Sequence, residues 1–176
     1  MRINKIDAAR AQLRTAITMW FLDADPISIH TLAYAAHEIM DAVSKKRNPK
    51  RRRLLFDSAR FKDARRKEVN DALRRHANFF KHGDRDPEAE VVFAPLLTES
   101  FIVFAIAAFE SCGEKVCEEM SIFREWLRIQ KSDSLSEAER KRFEEFYGIE
   151  KINYFRRLPK DVFFHGAMEE FKRGRI

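Results

Sequence analysis

The stretch Phe101-Ile102-Val103-Phe104-Ala105-Ile106-Ala107-Ala108-Phe109 is apolar on every side. Its length is about half of what a bilayer span requires, so it reads as a core helix rather than a membrane helix. A helix that is hydrophobic all round must be covered by its neighbours. That places it at the centre of the fold and predicts full burial of Phe104. Glycine and proline number five each in 176 residues, too few for a turn-rich sandwich or barrel. The covering elements are therefore helices. Hydrophobic residues make up 45% of the chain and charged residues 35%, enough for both a core and a hydrated surface. The N-terminal residues MRINKIDAARAQLR are charged throughout and carry no apolar signal-peptide segment. Cys112 and Cys117 are too few for a disulfide framework and lack metal-motif spacing. The expectation is one all-α domain spanning 1–176, cytoplasmic and without a membrane anchor.

Periodicity divides the chain into about six helices. Ile6, Leu13, Ile17, Trp20 and Phe21 mark one face of a first helix over 4–22. Asp25 and Pro26 then form a cap and first turn, opening a second helix that runs to about Ser44 on Ile29, Leu32, Ala33, Ala36, Ile39, Met40 and Val43. A third helical region, continuous or broken near Phe61, covers 54–82, with Gly83 placed as its left-handed stop. Pro87 and Pro95 bound a loop over 84–95, in which Val91 to Phe93 has the character of a short extended piece. Thr98 is placed to cap the central helix, which continues to about Gln130 or bends at Gly113. Ser136 and Glu139 have capping-box spacing for a helix that ends at Gly148. A last helix starts at Pro159, and 149–158 fits either helix or loop.

The net charge of +6 is concentrated in one place. Lys45, Lys46, Arg47, Lys50, Arg51, Arg52 and Arg53 supply seven positive charges with no acid among them, and the remainder of the chain sums to −1. A basic inter-helix loop over 45–53 is a candidate contact for the phosphates of a nucleic acid. A solvated loop that keeps the protein soluble fits the same composition equally well.

The most informative segment is Arg74-Arg75-His76-Ala77-Asn78-Phe79-Phe80-Lys81-His82. At about 100° per residue, Val69, Leu73, His76 and Phe80 fall on one stripe and face the core. Asp71, Arg75, Asn78 and His82 fall on the opposite side. A guanidinium, a carboxamide and an imidazole along one polar face suit a phosphodiester. The guanidinium neutralises and orients the phosphate, and the imidazole moves a proton near neutral pH.

Arg75-His76, followed by five residues and then His82, resembles the Arg–polar–(four to six)–His motif of the HEPN superfamily, small all-α domains that include metal-independent ribonucleases. The N-terminal helices are also similar to that family, with an alanine-rich second helix bearing a glutamate, Leu32-Ala33-Tyr34-Ala35-Ala36-His37-Glu38. The resemblance covers about residues 4–125. It implies a HEPN-like bundle and a homodimer in which Arg and His from two copies face one cleft. Arg75 and His82 would then cleave RNA, with His76 and Asn78 assisting and no cofactor. The stretch from Ala77 to Pro87 is also similar to bacterial proteins of this size for which no activity follows.

Two other readings stay open. The same fold serves as a non-catalytic binding module. Alternatively, His30 and His37, seven residues apart and about 20° off one line on the second helix, would begin a metal site. Glu38, His82, Asp84, Asp86 and His165 would complete it. No His-Glu-x-x-His, glycine-rich phosphate loop or Gly-x-Ser-x-Gly elbow is present. Phe79, Phe146 and Phe155, where exposed, would mark an oligomer interface.

Overall fold

The computed structural model describes residues 1–50, 65–84 and 86–174, with only the backbone of Arg66. Among these residues all regular structure is helical: eight α-helices and one short 3₁₀ turn, with no strand. None is long and apolar enough to cross a membrane. The helices are α1 (Lys5–Phe21), α2 (Pro26–Arg47), α3 (Arg66–Lys81), α4 (Leu96–Ser111), α5 (Glu118–Gln130), α6 (Glu137–Tyr147), α7 (Ile149–Arg157) and α8 (Lys160–Lys172). They gather into two compact units, one of residues 1–20 and 24–116, the other of 21–23 and 117–176. The chain's positive excess lies in the first unit, and the second is formally neutral.

In the first unit α2 lies along α4 and also contacts α3. Asp25 starts α2 by accepting a hydrogen bond from the Ser28 amide at 2.7 Å, with Pro26 in the first turn. Hydrogen bonds from the Ser28 side chain and backbone hold the Asp25 carboxyl below its ordinary range. α4 contributes seven buried residues, among them Phe101, Ile102, Ala105, Ile106 and Phe109. Phe104 is only half-buried, contrary to the expectation from composition. An apolar helix in a small unit still has one side that its few neighbours leave uncovered. α4 does not continue through Gly113. The Glu114 amide donates to the Phe109 carbonyl, Gly113 takes a φ of +70°, and the chain leaves the helix there.

Three further points are left open by the periodic reading or depart from it. The helix over 149–158 is real and separate, because Gly148, at φ +80°, ends α6 and starts α7. α3 stops at Lys81, where the His82 amide donates to the Asn78 carbonyl, and Gly83 does not take the left-handed conformation. The piece around Val92 forms no strand. Residues 54–64 of the expected third helix lie outside the described residues.

In the second unit Phe21 is a shared anchor. Its ring stacks on Phe164 at 4.8 Å between centroids and meets Phe123 and Trp126 edge-on at 6.2 Å each. The Ser136–Glu139 capping box forms as its spacing predicts. Arg156 ties α7 to the end of α5, donating to the Ile129 carbonyl at 3.0 Å and pairing with Asp133 at 2.9 Å.

Candidate functional site

α3 is strongly two-sided. Leu73, His76 and Ala77 are buried and Val69 and Phe80 are half-buried, whereas Asp71, Arg75, Asn78 and His82 are exposed. The helical period alone accounts for this division. Arg75, Asn78 and His82 line one open cleft of about 320 Å³ together with Phe79, Asp86, Ala89, Glu90 and Val91. The helix supplies one wall and the loop after it supplies the other. His82 Nδ1 lies 4.0 Å from Asp84 Oδ1, too far for a hydrogen bond.

His76 does not join this cleft. It is 9% exposed and points into the core, where its Nε2 donates to the Val92 carbonyl at 3.0 Å. Its ring meets Phe93 at 5.2 Å and His30 at 6.0 Å between centroids. A role for His76 beside Arg75 has no geometric basis, since adjacent residues on a helix point about 100° apart.

His30 is fully buried, with Nδ1 3.0 Å from the Thr98 hydroxyl and Phe93 and Phe101 edge-on at 5.1 and 5.4 Å. Burial, reinforced by His76, pushes its pKa from 6.5 down to about 4, so the ring is neutral at physiological pH. Thr98 therefore serves His30 rather than capping α4, which already begins at Leu96. His37 is buried on the same helix and lies against Phe101. Among the described residues no group of three or more His, Cys, Asp or Glu is placed to share a metal ion. His30 and His37 read as packed core histidines.

The basic tract is divided by the structure. Lys45, Lys46 and Arg47 form the last turn of α2, where positive charge complements the helix dipole. Lys45 donates to the Pro49 carbonyl at 2.7 Å. Arg47 donates to the Cys112 carbonyl at 2.8 Å and pairs with Glu114 at 3.0 Å, and Arg10 also pairs with Glu114. Arg47 thus braces α2 against the segment after α4. Lys46 and Lys50 are exposed. Arg51, Arg52 and Arg53 lie outside the described residues.

Helical periodicity did not identify Asp86 and Glu90 as cleft residues. They sit on an irregular loop, where no period relates sequence to direction. A second cleft, of about 490 Å³, lies in the second unit and is lined by Glu125 and Arg128 of α5 and by Glu139, Arg142, Phe143, Phe146 and Tyr147 of α6. There the Tyr147 hydroxyl donates to Glu125 at 3.0 Å, and burial with that carboxylate raises its pKa to about 12. Of the three aromatics suggested as interface markers, Phe79 and Phe146 are exposed and Phe155 is half-buried. No family model, curated protein or solved structure matches this chain.

Proposed function

We propose that the α3 cleft binds an RNA phosphodiester and that Arg75 and His82 cleave it without a metal ion, in a HEPN-like homodimer. The observation that supports this reading is the convergence of Arg75, Asn78 and His82 on one cleft. Arg75 holds two non-bridging phosphate oxygens through its planar fork and offsets the charge that grows on them. Asn78 donates a further hydrogen bond. The 2′-hydroxyl oxygen attacks phosphorus and the bond to the 5′ oxygen breaks, leaving a 2′,3′-cyclic phosphate and a 5′-hydroxyl. His82, as imidazolium, gives its proton to the leaving 5′ oxygen. The neutral imidazole of a second copy takes the 2′ proton.

Labelled RNA tests the reading directly. Arg75→Ala and His82→Ala should each reduce cleavage by about a hundredfold or more while the fold persists, because both side chains are exposed. EDTA should have no effect, and DNA, which lacks the nucleophile, should stay intact. Cleavage that persists in both variants, or stops with EDTA, overturns the mechanism.

The carboxylates Asp86 and Glu90 on the same cleft favour a second reading, a non-catalytic module for a ligand bearing both signs of charge. A wild type that binds RNA or a peptide and cuts neither would establish that reading instead.

A further inference from the structure

We propose that His30 and His76 form an acid-sensitive latch that holds residues 91–93 in place, and with them Val91, which lines the Arg75–His82 cleft. The latch stands whatever ligand the cleft takes.

Between Ala89, whose amide donates to Asp86, and Ala94, whose carbonyl accepts from Leu97, the described residues show no backbone-to-backbone hydrogen bond. Among the described residues, the bond from His76 Nε2 to the Val92 carbonyl and the packing of Phe93 fix this stretch. The Phe93 ring meets His30 at 5.1 Å, His76 at 5.2 Å and Phe80 at 5.3 Å. Val91, next in the chain, lines the cleft. Whatever loosens Val92 and Phe93 therefore reshapes the binding surface.

The two imidazoles are poised to do this. His76 must carry its proton on Nε2 to donate to a carbonyl, so Nδ1 is the basic nitrogen. Among the described residues neither His76 Nδ1 nor His30 Nε2 has a hydrogen-bond partner, and both are buried. A proton added to His30 creates a cation with one N–H that has no acceptor among the described residues, 6.0 Å from the His76 ring. Among the described residues the groups facing His30 are uncharged side chains, a backbone carbonyl and a second histidine. α2 presents the phenol of Tyr34, whose own ionisation is pushed up to about 12, and the buried His37 lies beyond Phe101. α3 presents His76, α4 offers the uncharged Thr98 hydroxyl, and the loop offers Phe93 and the Val92 carbonyl. The influences on His30 are burial and His76, with no carboxylate among them. Release of 91–93 admits water to both rings and removes the penalty. With a closed value of about 4 and an open value near 6.5, the opening constant should rise about tenfold per pH unit across that interval.

The test uses the full chain without ligand, with 4-fluorophenylalanine placed at position 93 in one sample and at position 101 in another. Fluorine NMR should show the position-93 resonance moving to a solvent-exposed shift as pH falls from about 6.5 to about 4. The position-101 resonance should stay in place. Carbon-13 imidazole signals of His30 or His76 should share the same midpoint. His76→Gln keeps a donor for Val92 and cannot gain charge, so it should abolish the transition or lower its midpoint by about one unit or more. His30→Gln should do the same. The proposal is overturned if position 93 moves only together with position 101 in global unfolding. It is also overturned if its midpoint differs from that of both imidazoles, or if both variants keep the wild-type midpoint.

Discussion

His30 on α2 and Thr98 on α4 are 68 residues apart in sequence and 3.0 Å apart from ring nitrogen to hydroxyl, both fully out of water. This contact joins the two helices that pack most extensively in the first unit. Thr98→Val keeps the shape and removes the partner, which leaves a buried imidazole nitrogen unsatisfied. Denaturant unfolding should show a loss of about 1–3 kcal/mol. A change under about 0.5 kcal/mol would mean that His30 finds another partner.

The sign of the pH effect follows from the direction of the His30 shift. Its folded pKa, about 4, lies below the unfolded value of 6.5, so between these values the unfolded chain binds the extra proton. Stability should be unaffected by His30 above about pH 6.5 and should fall as pH drops towards 4, by up to about 3 kcal/mol. Local opening of 91–93 limits that loss to the free energy of opening. Denaturant midpoints of wild type and His30→Phe across this range should diverge, with the variant flatter. Parallel curves would show that His30 is not the titrating group.

Phe101 and Phe104 share one helix and differ in burial. Phe101 is fully buried, with Tyr34 at 5.1 Å and His30 at 5.4 Å between centroids. Phe101→Ala should cost about 3–5 kcal/mol through lost burial and a cavity. Phe104→Ala should cost distinctly less, since part of its ring already meets solvent. Equal losses in thermal or denaturant unfolding would contradict the placement of α4.

The basic tract should separate by function. Arg47→Ala removes the ion pair to Glu114 and should lower stability by about 1 kcal/mol or less, because the pair is partly exposed. Neutralising the exposed Lys46 and Lys50 should leave stability unchanged. If that tract binds RNA, the salt slope of binding should flatten by up to about one for each phosphate that is no longer neutralised. An unchanged slope would make the tract a solvated surface.

Ser136 offers a local test. Ser136→Ala should destabilise α6 by about 1 kcal/mol, because an N-terminal amide loses its acceptor. Helix content and melting temperature would register the change, and neither should move if α6 is held by tertiary packing alone.

Much of this fold is written in short-range patterns. The two faces of α3, the Asp25–Pro26 start of α2, the Ser136–Glu139 box and the stop at Gly148 depend only on residues within one or two turns. The backbone and its nearest side chains decide them wherever the segment ends up. The same reasoning placed Arg75, Asn78 and His82 on one side of a helix, and they do share a cleft. Other features needed the third dimension. Asp86 and Glu90 reach that cleft from a loop without a period, and Arg47 leaves the basic cluster to brace Glu114. Thr98 turns from a cap into the partner of His30, and Phe104 is left half-covered. Each of these outcomes depends on which distant groups share a small volume. Sequence by itself determined what every helix could present, and only the packed structure decided what met it, because burial and hydrogen bonding act between neighbours in space.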